Sequence, residues 1–117
     1  MARIRTIKPE FWRDAKMVSV SRDARLLFIG LLNFANDNGV IKDSPLQLKI
    51  NIFPMDNDIG ATEVDNYLNE LEHSRMINRY VAVYEGEDRH FLHIRGFNKH
   101  QKINRPTPSD LPALPIK

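Results

Sequence analysis

The region that most constrains this chain runs from Ser44 to Met76 and predicts two helices joined by a turn. Ser44 followed by Pro45 is a typical helix start, because a serine hydroxyl caps free backbone amides and proline fits the first helical position. This first helix is expected to end near Ile52-Phe53. The segment MDNDIGA that follows has the composition of a turn.

The second helix of this region is predicted to begin near Thr62. Thr62 and Asp65 form a capping-box-like start, since a hydroxyl and a carboxylate can accept hydrogen bonds from the free amides of a first turn. Apolar side chains at helical spacing would bury one face of this helix: Val64, Leu68 and Leu71. The opposite face is acidic and contains no lysine or arginine before Arg75.

A β-hairpin is predicted directly after the second helix. Residues 77–84 and 91–94 have strand character, and Glu85-Gly86-Glu87-Asp88 is a turn signal between them. Two helices and a hairpin in this order are the layout of a winged helix-turn-helix, whose second helix normally enters the major groove of DNA. We therefore predict an α+β fold with a three-helix core, a β-hairpin wing, an extended basic N-terminal arm and a Pro-rich C-terminal tail.

The first helix of the predicted core lies upstream, where Ser21 can cap a helix that runs to Asn38-Gly39. Apolar side chains surround this helix on nearly every side. Such a helix is normally buried, or has one face against a partner. We favour a central core helix and keep a homo-oligomer interface as the alternative. Gly30 in its middle suggests a close contact with another helix.

The N-terminal segment alternates basic and apolar residues, which suits a short strand or an extended arm. Arg3, Arg5 and Lys8 are the basic positions. Pro9 favours a short helix that includes Trp12, the only tryptophan of the chain. We predict that Trp12 is a core or staple residue, and stacking on a nucleic-acid base is the less favoured alternative.

The predicted boundaries divide the 117 residues into three parts. Residues 1–20 form a basic arm packed on the core, residues 21–97 form the winged-helix domain, and residues 98–117 form a basic, Pro-rich tail or linker. The four prolines near the end of the chain favour an extended tail. A chain of this length fits one small domain.

The net charge is only +2, but it is unevenly distributed. Residues 1–25 contain seven basic and three acidic side chains, residues 37–72 contain two and eight, and residues 73–117 contain eight and four. The chain is therefore basic at both ends and acidic in the middle. A phosphate-binding surface must be sought at the ends.

Several kinds of chemistry have no sequence signal. The absence of cysteine excludes disulfides and cysteine-ligated zinc. There is no glycine-rich phosphate loop and no recognisable set of catalytic residues, so we expect a protein that is not an enzyme and needs no metal or cofactor. No apolar run approaches the roughly 20 residues of a membrane span, and no signal peptide is recognisable. We expect a cytoplasmic protein without a membrane partner.

Three segments resemble a known family: RIRTIKPEFW, SRDARLLFIGLLNFANDNG and HQKINRPTPS. They are similar to the N-terminal winged-helix domain of phage and prophage replication initiation proteins, the replisome organisers, which have a DnaD-like layout. The resemblance covers residues 3–109. It implies binding of origin duplex DNA or oligomerisation in the bacterial host cytosol, and contact with the replicative helicase or its loader through a further C-terminal region.

Two hypotheses follow from these patterns. In the first, the second helix reads base edges in double-stranded DNA through Thr62, Asn66 and Asn69, because asparagine suits adenine. The phosphate contacts would come from the basic residues at the ends and on the hairpin: Arg3, Arg5, Lys8, Arg89, Arg95, Lys99, Lys102 and Arg105. In the second hypothesis, the acidic helix and the apolar central helix meet another subunit or partner, and the basic ends bind DNA nonspecifically.

Overall fold

The computed structural model describes residues 2–103 and 105–115. Over these residues the chain forms an α+β domain with five α-helices, a short 3-10 helix at Pro9–Arg13 and a three-stranded antiparallel sheet in the order β1-β3-β2. The helices are α1 (Ala15–Val18), α2 (Arg22–Phe34), α3 (Pro45–Ile52), α4 (Ala61–His73) and α5 (Phe97–His100), and the strands are β1 (Val40–Lys42), β2 (Ile77–Tyr84) and β3 (Glu87–Ile94). None of these helices is both long and apolar enough to cross a membrane.

The predicted serine caps of α2 and α3 are confirmed. The Ser21 hydroxyl accepts a hydrogen bond from the backbone amide of Ala24. The Ser44 hydroxyl accepts one from the backbone amide of Gln47 at the start of α3. Helix α2 ends earlier than predicted, at Phe34 rather than at Asn38-Gly39. The cause is Asn36, whose side-chain oxygen accepts from two backbone amides of the following turn and leads the chain into β1.

Helix α4 begins within one residue of the predicted start, but the predicted cap is wrong. The helix begins at Ala61 with Gly60 as its N-cap. Glu63 supplies the carboxylate that reaches back, and its Oε1 accepts from the Gly60 amide at 2.7 Å. Thr62 therefore lies inside the first turn, where its backbone is already helical, and it does not cap the helix.

Helix α2 lies at the centre of the core. Leu27 and Leu31 of this helix are fully buried, as are Leu68 of α4 and Leu92 of β3. A Cβ atom added at Gly30 would lie 2.7 Å from the side chain of Ile52, so the predicted close helix contact is confirmed. The apolar residues of α2 are mostly covered within the chain, although Leu26 remains 51% exposed.

The predicted hairpin is confirmed, with a tighter turn than expected. Tyr84 pairs with Glu87, so only Glu85 and Gly86 remain outside the strands. Both have positive φ, 52° and 80°, as a type I′ turn requires. This turn matches the twist of the two strands, which explains why β3 begins at Glu87 rather than at Phe91.

The prediction that Trp12 lies in the core is wrong, because its side chain is 58% exposed. Phe11 takes the inward position and stacks on Phe28, with a centroid distance of 5.9 Å. Adjacent residues of a 3-10 helix point about 120° apart, so only one of the two aromatic rings can face the core.

The C-terminal tail contains no helix or strand over residues 105–115, and it packs on the domain. The Tyr80 hydroxyl donates to the Pro112 carbonyl at 2.7 Å, and the Tyr84 hydroxyl donates to Asp110 at 3.2 Å. The tail therefore lies against the face of the sheet that contains Tyr80, Tyr84 and Phe91. The predicted arm and tail also include residues 1, 104, 116 and 117, which lie outside the described residues.

Candidate nucleic-acid interface

One carboxylate joins both ends of the chain to the loop after α2. Asp37 accepts from the Arg3 guanidinium at 2.6 Å, from the Arg5 guanidinium at 3.2 Å and from the Thr107 amide at 2.6 Å. We call these four residues the Asp37 clasp. The Thr107 amide is the main group that holds the pKa of Asp37 below its ordinary value, and the two guanidinium groups add to it despite the opposing effect of burial.

The Asp37 clasp holds the Arg5 side chain inside the domain. Its side chain is only 4% exposed, and it also donates to the carbonyl oxygens of Leu32 and Ala35 at 2.9 Å. The predicted phosphate contact therefore needs a correction, because the structure places this guanidinium inside the domain with its donors occupied. Arg3 is 31% exposed and is also paired with Asp37.

A second contact aligns the two ends. The Gln101 side-chain oxygen accepts from the Thr6 amide at 3.0 Å, and its nitrogen donates to the Thr6 carbonyl at 2.9 Å. Gln101 is 8% exposed, so water competes little for these bonds. The pair holds the segment that leads to Lys8 beside α5. The sequence left open whether the basic ends meet, and the structure shows that they do.

The two ends form the walls of a groove of about 680 Å³. Its basic lining residues come from the N-terminal segment, the turn after α4 and the region around α5: Lys8, Lys16, Arg75, Arg95 and Lys99. All five are exposed, and none forms an ion pair within residues 2–103 and 105–115. Two carboxylates, Glu10 and Asp14, also line the groove, and Asp14 is engaged in capping α1. We call this the basic groove.

The basic groove includes three of the predicted phosphate contacts, Lys8, Arg95 and Lys99. It also includes Lys16 and Arg75, which sequence reasoning did not select. The only sequence signal for Lys16 and Arg75 was that each lies in a basic region of the chain. No sequence pattern indicated that the two residues are close together in the fold. Unpaired cations that converge on a concave surface create a positive potential that favours a polyanion.

Arg75 occupies an unusual backbone position in this groove. It has φ +61°, directly after the C-terminal cap of α4. The amides of Arg75 and Met76 donate to the carbonyls of Glu72 and Leu71, which completes a Schellman motif. Glycine is the usual residue at this position, so the arginine is retained here at a cost in stability.

We expect Arg75→Gly to raise the free energy of unfolding by up to about 1 kcal/mol, because it relieves the left-handed strain. The same change should weaken binding to duplex DNA and reduce the slope of log K against log salt by about 0.9, as one phosphate contact is lost. Denaturant unfolding and fluorescence anisotropy measure the two effects. Glu85→Gly is the matched control, since Glu85 also has positive φ but lies at the hairpin turn. If Arg75→Gly is more stable but binds duplex DNA with undiminished affinity, Arg75 is not part of the interface.

The exposed face of α4 is less acidic than its sequence suggests. Arg79 donates to Asp43 at 2.7 Å, to Asp65 at 2.8 Å and to Asn69 at 2.8 Å. Hydrogen bonding to Asp43 is the main reason that the pKa of Arg79 is raised. We call these four residues the Arg79 network. It neutralises part of the helix face and engages the side-chain oxygen of Asn69, one of the predicted base-reading residues.

The remaining predicted contacts do not line the groove. Thr62 and Asn66 are exposed on α4, and Thr62 lies about 20 Å along the helix from Arg75, given 1.5 Å per residue. Arg89 lies on β3 and pairs with Glu87 at 3.0 Å on an exposed surface. Lys102 and Arg105 are exposed in the tail, and the Arg105 carbonyl accepts from Arg3.

The comparisons with known proteins add no assignment to this geometry. No protein-family model, curated protein or solved structure matches the chain.

Proposed function

We propose that this protein is a DNA-binding domain that holds double-stranded DNA by its phosphates in the basic groove. The observation that carries the proposal is the convergence of five exposed cations from three separate parts of the sequence on one concave surface. Cations whose only role is to keep a protein soluble do not need to lie together on one surface. Neutralising phosphates releases the counterions of DNA, which is the main source of affinity in such an interface.

The order of the elements supports a winged-helix type of domain in this proposal. Helices α2, α3 and α4 pack together, β1 lies between α2 and α3 in the chain and pairs with β3, and the β2–β3 hairpin follows α4. Helix α4 would then approach the major groove with Thr62 and Asn66 exposed. The basic groove lies at its C-terminal end and would hold the flanking backbone.

The resemblance to phage and prophage replication initiation proteins extends the proposal to origin DNA. A replicative helicase or its loader is then the proposed protein partner. The alternative of an assembly module rested partly on the apolar surface of α2. That surface is mostly covered by the rest of the chain, which leaves little of α2 available for an interface.

The double variant Arg95→Gln/Lys99→Gln tests the role of the groove. We expect its affinity for duplex DNA to fall about tenfold at 0.1 M salt, taking about 0.7 kcal/mol for each contact. The slope of log K against log salt should fall by about 1.8, because two phosphate contacts are lost. Anisotropy titrations of a labelled duplex at several salt concentrations measure both quantities.

The matched control is Arg22→Gln/Lys42→Gln, which removes the same charge from exposed residues that do not line the groove. Its salt slope should stay close to that of the unmodified protein. Equal losses in the two double variants would mean that total charge, and not the groove, determines binding.

A further inference from the structure

Trp12 lies next to Phe11, which lines the basic groove; Trp12 is not itself a lining residue, and more than half of its surface is exposed. Its ring meets the Phe11 ring edge to face, with a centroid distance of 5.1 Å and an interplanar angle of 88°. Phe11 lines the groove and stacks on Phe28, which is 6% exposed. A chain of three aromatic rings therefore connects the indole to the core.

The surroundings of Trp12 combine an aromatic platform with phosphate-binding charges. Lys8 and Lys16 lie four residues to either side in the sequence, and both line the groove. An exposed aromatic ring beside a positively charged groove is the arrangement by which proteins bind single-stranded nucleic acid, since bases stack on the ring while the backbone follows the charges. Bases inside a duplex are already stacked on each other and do not offer their faces to such a ring.

We propose that Trp12 stacks on an unpaired base of a single DNA strand whose phosphates lie in the basic groove. The inference rests on the proposed function, because the same cations hold the backbone. It assigns to this site a ligand class beyond duplex DNA, namely single-stranded DNA. Base stacking would add a favourable contribution to the binding free energy that depends little on salt. Varying the salt concentration therefore separates it from the contribution of the phosphate contacts.

Trp12 is the only tryptophan, so fluorescence excited at a wavelength that the three tyrosines do not absorb reports on this position alone. The protein is titrated with a labelled oligothymidine, with a duplex of equal length and with polyphosphate, while anisotropy or competition records binding. We expect the single strand to quench the fluorescence strongly, and the duplex and polyphosphate to bind with little quenching. Bound single strand without quenching, no binding of the single strand, or equal quenching by polyphosphate would each overturn the assignment.

Trp12→Ala and Trp12→Phe test the stacking energetically. We expect Trp12→Ala to weaken oligothymidine binding by about 5-fold to 100-fold, and Trp12→Phe to restore most of the affinity. Duplex affinity and the salt slope should remain unchanged. Val18→Ala is the control for the loss of an exposed apolar side chain, as Val18 is 55% exposed and lies at the end of α1, outside the 3-10 helix that contains Trp12.

The two proposals fail in different ways. If Trp12→Ala weakens duplex and single-strand binding equally, the stacking assignment is overturned, whereas the groove assignment stands. If Arg95→Gln/Lys99→Gln binds duplex normally but binds oligothymidine weakly, the duplex proposal fails and the single-strand assignment stands. Thermal unfolding of each variant shows whether the fold is kept.

Discussion

Asp37→Ala is expected to lower the free energy of unfolding by about 2–3 kcal/mol, because it removes the shared acceptor of two guanidinium groups and one backbone amide. The expected loss is below the roughly 3–5 kcal/mol of a deeply buried pair for two reasons. Arg3 is partly exposed, and Arg5 keeps its bonds to backbone carbonyls. The tail should also detach near Thr107, which makes the peptide bond after Lys102 easier for trypsin to cleave; Arg105 precedes Pro106 and is not a trypsin site.

Asp37→Asn isolates the contribution of the charge through its pH dependence. The pKa of Asp37 in the folded protein lies below the ordinary value of 3.8. A depressed carboxyl pKa contributes stability that is present above about pH 4 and is lost as the pH falls through the folded pKa. The stability difference between the unmodified protein and Asp37→Asn should therefore be largest near pH 7 and should shrink towards pH 3.

Denaturant unfolding at pH 7 and pH 3, together with limited proteolysis, measures these effects. Asp110→Ala is the matched control, because it removes an exposed tail carboxylate that accepts only from Tyr84 at 3.2 Å among the described residues. Its stability should change by less than about 1 kcal/mol. If Asp37→Ala unfolds like the unmodified protein and resists trypsin equally, the clasp does not hold the tail.

Arg79→Met is expected to lower the free energy of unfolding by about 3 kcal/mol. The Asp43 side chain is only 4% exposed, and its two oxygens accept from Arg79 at 2.7 and 3.0 Å. Removing the guanidinium leaves a buried carboxylate without its partner, which is more costly than the loss of the pair itself. The variant should also release Asp65 and Asn69 from their contacts, so the exposed face of α4 becomes more negative.

Denaturant unfolding of two further variants separates the causes. Arg89→Met removes an arginine from the other strand of the same hairpin, where the pair with Glu87 is exposed, so its effect should stay below about 1 kcal/mol. Asp43→Leu combined with Arg79→Met removes both charges and should recover part of the stability. If Arg79→Met and Arg89→Met lower the free energy of unfolding by equally small amounts, the Arg79 network is not a stabilising element.

Features that depend on nearby residues were predictable from the sequence. Ser21 and Ser44 were identified as helix caps because a cap acts within three residues. The hairpin was identified because its alternation and its turn are local, and the close contact at Gly30 followed from a helix position that glycine destabilises. The uneven charge distribution was likewise visible, including the basic character of both ends.

The tertiary structure decided which of these residues share a surface. Arg5 and Lys8 belong to the same basic segment, yet Asp37 draws the first into the domain, whereas the second remains at the groove. Trp12 and Phe11 are adjacent, and only packing against Phe28 decided which ring faces the core. The partners in such contacts are up to 104 residues apart, as for Arg3 and Thr107. Local propensity cannot specify such pairs, because their energies exist only after the chain has closed the loop between them.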